Sequence, residues 1–396
     1  MDVDAYAASV TKQGSVVKQL KKDGAPPETI KAEVDKLKAL KADLEKLQAA
    51  EDSKNPKFKR DAFDGMLVRK FFVVPSFEIH GGAAGLYDLG PPACGLKANM
   101  LAMWREHFVL QDSMLEMECT NLTIEKVLKT SGHVDRFTDL MVKDLENGQC
   151  FRADKLLEDA IDNLVEKNPT WSEAEKESHF VIQRQADAYT PLELDDLLKK
   201  YEVKSPENND FSPSFPYNLM FRTLIGPEGT SVAYLRPETA QGLFVNFKRL
   251  LEYNAGKLPF AGAQIGLGFR NEISPSGGLL RVREFCMAEI EHFCDPNDKS
   301  YSAFQNVKDE VLTLFTADHQ LSTGKTIKMS IGDAVASKLV DNETLGYFLA
   351  RTQQFMIKIG MDPERLRFRQ HLKTEMAHYA CDCWDLEIKV SCRDRR

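Results

Sequence analysis

The residues best suited to chemistry lie in one segment, GFRNEISPSGGLLRVREFCMAEIEHF, residues 268–293. Its second half places Arg281, Phe285 and Glu289 at intervals of four residues. Alternate side chains of a β-strand share a face and each residue advances the chain by about 3.3 Å, so these side chains would stand about 13 Å apart on one face. A guanidinium that holds a phosphate, a ring that stacks on a base and a carboxylate that holds an ammonium could share a cleft of that length.

A β-hairpin accounts for this spacing. The runs LPFAGAQIGLGFRNE and LLRVREFCMAEIEHF are both typical of strands, and SPSGG between them predicts a turn of hairpin length. Arg270 and Glu272 would then share a face of the first strand. The other face of the second strand would be largely apolar and would carry Leu280, Val282, Cys286, Ala288 and Ile290.

The same charges have a simpler interpretation. Arginine and glutamate side chains can pair across the strands on a solvated face, which is what an arbitrary hairpin would favour. Phe285 argues against this interpretation, because charge pairing does not require an aromatic ring in the middle of the charged face. Spacing alone leaves both interpretations open.

The whole chain has the composition of a globular protein. Its 396 residues are 43% hydrophobic, which allows a sizeable core and two or three domains. No run of about eighteen apolar residues predicts a membrane span, and the first residues, MDVDAYAASV, lack the features of a secretory or transit peptide. We therefore expect a cytoplasmic protein without a membrane partner.

The eight cysteines are expected to be reduced thiols. In CDCW only one residue separates Cys381 from Cys383, whereas common zinc sites have two residues between their cysteines. His378 and Cys392 lie near enough in sequence to complete a metal site, but the spacing favours buried thiols.

Basic residues are concentrated near the N-terminus. Residues 1–60 hold 13 Lys and Arg against 10 Asp and Glu, although the whole chain carries a net charge of −8. Two helical runs separated by GAPP predict a helical hairpin over residues 5–50, followed by a linker over 51–60. The second run has one apolar seam, made by Ile30, Val34, Leu37, Leu40, Leu44 and Leu47. Lysines off this seam either bind a polyanion such as RNA or form a solvated face: Lys18, Lys21, Lys22 and Lys31.

Residues 61–396 form the predicted body of the protein. The loop EIHGGAAGLYDLGPP has the glycines of a phosphate cradle, but neither GK[ST] nor the GxGxxG spacing is present, so we interpret it as a turn. LKANMLAMWREHFV predicts an amphipathic helix, and MLEMECTNL predicts a strand. Residues 154–210 have a polar, helical pattern with a break at NPTW, which predicts an inserted helical region on the surface.

The pattern F-R-x-E, a loop and R-x-x-x-F-x-x-x-E resembles motif 2 of the class II aminoacyl-tRNA synthetases. Neighbouring stretches narrow the resemblance to the eukaryotic type of glycyl-tRNA synthetase: GLYDLGP, VLKTSGHVDRF, CFRADKLL, YLRPETAQGLFVNFKRLLEYN, LPFAGAQIG and LRFRQHLKTEMAHYACDCWD. The resemblance covers residues 61–391, and the hairpin at 5–50 resembles a WHEP domain. It implies an α+β fold, with an antiparallel sheet flanked by helices plus the N-terminal helical hairpin, and it implies a homodimer.

The resemblance also implies a reaction. Glycine would be activated by ATP to glycyl-adenylate and transferred to the 3′ end of glycine tRNA, with Mg²⁺ bridging the phosphates. Arg270 would hold the α-phosphate while negative charge develops there. The rest of the ATP site would comprise Asn271, Glu272, the backbone of Arg281 and Val282, and Phe285 stacked on adenine.

Glu238 of RPETAQG and Glu289 would hold the ammonium group of glycine. Taken alone, Glu238 is equally well interpreted as a residue at a helix start. His133 of TSGH could be packed in the core or lie in the cleft, and it is assigned no role. The N-terminal hairpin would bind tRNA or other proteins of a synthetase complex.

Four departures from the family pattern limit these expectations. Ile124 stands where motif 1 has a proline, Ser276 replaces a loop arginine, and Leu267 and Gly268 occupy positions that are usually polar or small. The match also ends near Ser391, so we expect motif 3 and the anticodon-binding domain to be absent. The alternative to an active ligase is therefore a truncated, catalytically incompetent form that binds tRNA or synthetase-complex partners.

Overall fold

The computed structural model of the chain describes residues 13, 29, 33, 34, 36–38, 40, 41, 60–275, 278–377 and 379–390. The chain divides into two compact units, Met1–Leu67 and Val68–Arg396. The two units are described separately below.

In the smaller unit, the described residues between 33 and 41 are helical. Val34, Leu37 and Leu40 are half-buried and the described lysines around them are exposed, as the predicted apolar seam requires. The side-chain amide of Gln13 donates to the carbonyl of Glu33 at 3.3 Å and to its carboxylate at 2.5 Å. This contact joins two helical segments twenty residues apart, in agreement with a hairpin. The lysines proposed to bind RNA lie outside the described residues: Lys18, Lys21, Lys22 and Lys31.

Helices and strands are interspersed along residues 60–390, as an α+β fold requires. The helices are α1 (Arg60–Arg69), α2 (Pro91–Trp104), α3 (Glu125–Thr130), α4 (His133–Arg136), α5 (Ala153–Lys167), α6 (Glu173–Arg184), α7 (Pro191–Lys200), α8 (Ala240–Val245), α9 (Phe247–Tyr253), α10 (Ala317–Leu321), α11 (Ile331–Ala336) and α12 (Glu343–Lys358). The strands are β1 (Val73–Pro75), β2 (Tyr87–Leu89), β3 (Leu115–Glu116), β4 (Leu122–Ile124), β5 (Thr138–Lys143), β6 (Cys150–Arg152), β7 (Phe215–Asn218), β8 (Phe221–Ile225), β9 (Ser231–Leu235), β10 (Phe260–Phe269), β11 (Glu284–Phe293), β12 (Val311–Phe315), β13 (Ile327–Ser330), β14 (Leu366–Gln370) and β15 (Trp384–Ile388).

The two longest strands pair as the sequence predicts. β10 and β11 are antiparallel over ten residue pairs, and β3 joins the other edge of β10 in parallel. One face of this ladder packs through Ala261 and Ala263 against Trp104, Phe108 and Phe355. The opposite face is therefore left to the side chains that follow the other parity of each strand. On it lie Gln264, Gly266, Gly268, Phe285, Glu289 and Glu291.

The predicted turn of this hairpin is wrong. The ladder ends where Phe269 faces Glu284, and residues 270–283 form a long connection that contains a 3₁₀ turn at Gly278–Leu280. SPSGG occupies only the middle of that connection, and Ser276 lies outside the described residues.

The position predicted for Arg281 changes as a result. It was expected on the same strand face as Phe285 and Glu289, but only the latter two lie on β11. Pairing stops at Glu284 because the N–H of Arg283 donates to the carbonyl of Gly85 at 2.8 Å. The residues before it therefore lie off the strand: Leu280, Arg281 and Val282.

Residues 137–219, which enclose the predicted insertion at 154–210, share one core and are called the inserted region below. β5 pairs with both β6 and β7, and α5, α6 and α7 pack beside these strands. These three helices lie within 153–200, with NPTW between α5 and α6, whereas residues 201–210 contain no helix. The helices turn their apolar faces to this core. Its fully buried side chains include Val142, Leu157, Ile161 and Leu194.

A second sheet has the strand order β13-β12-β14-β15 and packs against α12. Near its start, α12 also joins a buried polar network at the end of the helical run that begins at Pro91. The hydroxyl of Tyr347 donates to Asp112 Oδ1 at 2.5 Å, and Arg351 Nε donates to Asp112 Oδ2 at 3.2 Å. Burial and the Asp112 carboxylate raise the pKa of Tyr347, so its proton stays in this network.

The strand predicted from MLEMECTNL is only partly formed. Strand pairing covers Leu115–Glu116 and resumes at Leu122. Between them the main chain at Cys119 is held by side chains instead of a strand: its N–H donates to Gln264 at 2.6 Å, and its carbonyl accepts from Arg236 at 2.9 Å.

The seven cysteines among the described residues are free thiols. Cys383 is half-buried and burial raises its pKa, but Cys381 is exposed, so the prediction of a buried thiol is wrong for Cys381. His378 and Cys392 lie outside the described residues.

Candidate active site

The guanidinium of Arg270 lies between two aromatic rings at the end of β10. Its Cζ is 5.4 Å from the centre of the Phe137 ring and 5.3 Å from the centre of the Phe285 ring. Its Nε donates to the carbonyl of Pro237 at 3.3 Å. These contacts orient the side chain, and no carboxylate among the described residues forms an ion pair with it, so its charge can serve an anionic ligand.

Asn271 is held by main-chain and side-chain contacts to the strand β7 and the residue after it. Its N–H donates to the carbonyl of Leu219 at 2.7 Å, and its Nδ2 donates to the hydroxyl of Tyr217 at 2.7 Å. Glu272 follows, and its N–H donates to the carbonyl of Arg270 at 2.8 Å. The three motif residues therefore stand in a fixed, non-strand conformation.

Glu272 and Arg270 both lie beyond the end of β10, so the strand face predicted for them is not formed. The Glu272 side chain is 12% exposed, and Arg281 Nε lies 3.9 Å from its Oε2. That oxygen is buried and has no hydrogen-bond donor among the described residues. A buried acceptor without a donor is a position where a ligand can supply one. Arg281, although off the strand, remains beside this position.

Glu238 is held two residues before α8. Its Oε1 lies 3.0 Å from His133 Nε2 and accepts from Gln241 Nε2 at 2.5 Å. Burial would raise the pKa of Glu238, but the hydrogen bonds from His133 and Gln241 and the charges of His133 and Arg270 outweigh burial and lower it. Glu238 is therefore ionised at neutral pH. His133, which had no predicted role, orients it.

Glu289 lies on the same side of the molecule as Glu238. Its Oε2 accepts from the N–H of Thr239 at 2.9 Å and from the Thr239 hydroxyl at 2.6 Å, next in sequence to Glu238. Glu291 follows two residues later on the same face of β11. Burial, with the charges of Glu289 and Glu238, raises the pKa of Glu291 to about 7. Three carboxyl groups thus form an acidic cluster suited to an ammonium group.

Glu291 was missed by the sequence reasoning, although strand parity alone indicates that it shares a face with Glu289. Gln241 was also missed, and its Oε1 is buried without a hydrogen-bond partner. The signal for Gln241 was its position three residues after Glu238 at a helix start, where side chains three apart are neighbours.

The buried side chain of Arg236 holds the main chain beside the candidate site. Arg236 is 4% exposed, and its Nε donates to the carbonyl of Leu267 at 2.8 Å. Its Nη1 contacts Gln264 Oε1 at 3.3 Å, and Gln264 Nε2 donates to the carbonyl of Thr239 at 3.0 Å. Gly266 leaves room for the guanidinium, since a Cβ there would lie 2.1 Å from Arg236 Nη2. Packing of the Arg236 side chain therefore requires a glycine at position 266, the second glycine of β10.

The loop HGGAAG is a turn, as predicted, and it also supports the site. Gly81, Gly82 and Gly85 all have positive φ, which only glycine adopts readily. Arg283 Nη1 donates to the carbonyl of Ala84 at 2.6 Å, and Arg283 Nη2 donates to the carbonyl of Glu272 at 2.8 Å. Arg283 therefore joins this loop to motif 2.

Neither a metal site nor a membrane-spanning helix is present among the described residues. Across the described ranges, no three His, Cys, Asp or Glu side chains are grouped in a way that could hold a metal ion. In the same ranges, no helix is both long enough and apolar enough to cross a membrane.

Comparison with known proteins identifies both parts of the chain. Residues 7–58 match the WHEP-TRS domain, and residues 225–376 match the tRNA synthetase class II core domain (G, H, P, S and T). The larger unit thus contains a class II aminoacyl-tRNA synthetase core domain, in agreement with the predicted resemblance and fold class.

Relatives narrow the assignment. Glycine--tRNA ligase of Caenorhabditis elegans is 53% identical over 385 residues, which cover 97% of this chain and 52% of that protein. The Drosophila melanogaster enzyme of the same name is 53% identical over 96% of this chain and 50% of its own length. A putative cytoplasmic glycine--tRNA ligase of Arabidopsis thaliana is 46% identical over 84% of this chain and 72% of its own length. The chain belongs to the glycine–tRNA ligase family, and it spans about half the length of the two animal relatives.

Proposed function

We propose that this chain carries the amino-acid-activating part of a glycine–tRNA ligase. Glycine would be joined to ATP as glycyl-adenylate with release of pyrophosphate, and the glycyl group would then pass to the 3′ end of glycine tRNA. The observation that carries the proposal is the arrangement around β11, where a ring-held arginine lies at one end and Glu289 and Glu291 lie further along the same face, with Glu238 beside them.

Each end of this face suits one substrate. The guanidinium of Arg270 would hold the α-phosphate while the carboxylate of glycine attacks it, and its orientation by Phe137 and Phe285 reduces the reorganisation that this step requires. Glu238 and Glu289 would hold the ammonium group of glycine. Asn271, Glu272, Phe285 and the backbone of Arg281 and Val282 would hold the adenosine.

Further elements of the proposal concern ions and partners. Mg²⁺ would enter bound to the phosphates of ATP, since this ion keeps waters and substrate oxygens as ligands and needs few protein ligands. A homodimer is supported by the exposed apolar side chains of Leu96 and Met100 on α2. The cytoplasm is the proposed location, supported by the name of the Arabidopsis relative, although a Saccharomyces cerevisiae relative is named mitochondrial.

Glycine-dependent exchange of pyrophosphate into ATP by the 396-residue chain tests the proposal. We expect Arg270→Ala to lower the exchange rate by about 100-fold or more, the usual loss when a group that stabilises transition-state charge is removed. Arg222→Ala removes an exposed arginine on β8 and serves as the matched control. Equal rates for the two variants would contradict the role of Arg270.

A second candidate function is binding of tRNA or synthetase-complex proteins without catalysis. It is favoured by the WHEP-TRS match at 7–58 and by the excess of basic residues in this segment. Absence of exchange together with tRNA binding that is lost when residues 1–55 are deleted would favour this candidate over the ligase.

A further inference from the structure

The base of the inserted region contacts two consecutive residues of motif 2, Arg270 and Asn271, and lies near a third, Glu272. Phe137, immediately before β5, lies against the guanidinium of Arg270. Tyr217 on β7 accepts a hydrogen bond from the Asn271 side chain, and the carbonyl of Leu219 accepts one from the Asn271 N–H. The paired strands β5 and β7 therefore lie beside the candidate site. The helices that follow β6 pack in a core that contains no motif 2 residue.

Asp139 lies near the third motif 2 residue, Glu272, but both side chains are carboxylates, so their charges repel each other. Asp139 is the direct antiparallel partner of Tyr217, so both side chains lie on the face of the ladder that meets motif 2. Asp139 Oδ2 is 2.8 Å from Arg152 Nη1, and Arg152 also binds Asp154 at 2.6 Å. Burial raises the pKa of Asp139 against the effect of Arg152, and the charge of Glu272 raises it further.

These charges form one half-buried cluster. Three carboxyl groups, Asp139, Asp154 and Glu272, lie with two guanidinium groups, Arg152 and Arg281. Within it Glu272 Oε2 is buried without a donor. A ligand with an amino group, such as the exocyclic amine of adenine, would supply that donor at little cost, because the neighbouring charges already fix the carboxylate.

We propose that Tyr217 is a positioning residue, which sets Asn271, and through the main chain the adjacent Glu272, in the orientation that an adenine nucleotide requires. The nucleotide part of this inference rests on the proposed function. The alignment of motif 2 by the inserted region does not rest on it, and it can be measured without any ligand.

Hydrogen–deuterium exchange of the whole chain is the decisive experiment. In Tyr217→Phe we expect the amides of residues 270–274 to exchange about 2- to 10-fold faster, because this variant removes one of the contacts that hold the segment. Tyr189→Phe is the matched control, since its hydroxyl donates to Gln185 at 3.5 Å, four residues earlier in the chain.

Unchanged exchange at 270–274 in Tyr217→Phe would overturn the proposal. Faster exchange spread over α5, α6 and α7 as well would show a structural role for the inserted region instead, and would also overturn it.

Equilibrium dialysis with ATP adds the nucleotide readout. We expect the dissociation constant for ATP to rise about 2- to 12-fold in Tyr217→Phe, which corresponds to a net hydrogen bond of about 0.5–1.5 kcal/mol. Binding of glycine should not change, because Glu238 and Glu289 do not contact Tyr217. Failure of the unchanged chain to exchange pyrophosphate would count against the proposed function alone. Hydrogen exchange in motif 2 that is the same in Tyr217→Phe as in the unchanged chain would count against this inference alone.

Discussion

The raised pKa of Glu291 makes a quantitative prediction about stability. In the folded chain this carboxyl titrates at about 7 in place of its usual 4.5. Below pH 4.5 it is protonated in both the folded and the unfolded chain. As the pH rises to about 7, the unfolded chain loses this proton before the folded chain does, so the contribution of Glu291 to stability is lost over this range.

The size of the effect follows from the difference between the two pKa values. A difference of about 2.5 pH units corresponds to at most about 3.4 kcal/mol, at about 1.36 kcal/mol per unit. Glu291 is only half-buried, and solvent screening reduces this figure to about 1–2 kcal/mol. Glutamine keeps the shape of the side chain and cannot ionise, so Glu291→Gln should be the more stable protein at pH 8 and should differ little from the unchanged chain at pH 4.5.

Urea unfolding of both proteins at pH 5.5 and pH 8 measures the effect. The three tryptophans, Trp104, Trp171 and Trp384, all lie in the larger unit, so their fluorescence reports on the unit that contains Glu291. We expect the unchanged chain to lose about 1 kcal/mol more than the variant between the two pH values. A difference between the proteins that is the same at both pH values would refute the reasoning.

Two further substitutions test the support of the site and the buried network around Asp112. Gly266→Ala would place a methyl group on the guanidinium of Arg236 and should destabilise the larger unit by about 1–3 kcal/mol, measured by urea unfolding at pH 7. An unchanged midpoint would contradict the packing described for Arg236. Tyr347→Phe removes a hydrogen bond to the Asp112 carboxylate and should cost about 2 kcal/mol in the same measurement, since Arg351 still binds that carboxylate. No loss of stability in Tyr347→Phe would contradict a net contribution from this hydrogen bond.

The strongest sequence patterns predicted the parts of the fold that depend on neighbouring residues. β10 and β11 follow from alternation and glycine content, and the helices of 154–210 follow from their periodicity and from NPTW. Glu289 and Phe285 were predicted on one face because strand parity is a local property. The roles given to the residues of the ATP and glycine sites remain predictions.

The features that the sequence did not predict correctly depend on contacts between distant segments of the chain. The hairpin turn was wrong because Arg283 bonds to the loop at 84–85, about two hundred residues away in sequence, and no local pattern encodes that pairing. The contact between Tyr217 and Asn271 is of the same kind. Strand parity failed at Arg281 for this reason, since it holds only while the strand continues.

The contact between Tyr217 and Asn271 also limits how the chain could be shortened. Because α5, α6 and α7 pack around one core, the whole stretch from β5 to β7 could be taken for a removable insertion and replaced by a short linker. Such a cut would remove Tyr217 and the other residues that hold Asn271 in place. A minimal catalytic fragment would therefore have to keep the paired strands β5 and β7, and only the helices beyond β6 could be exchanged for another sequence.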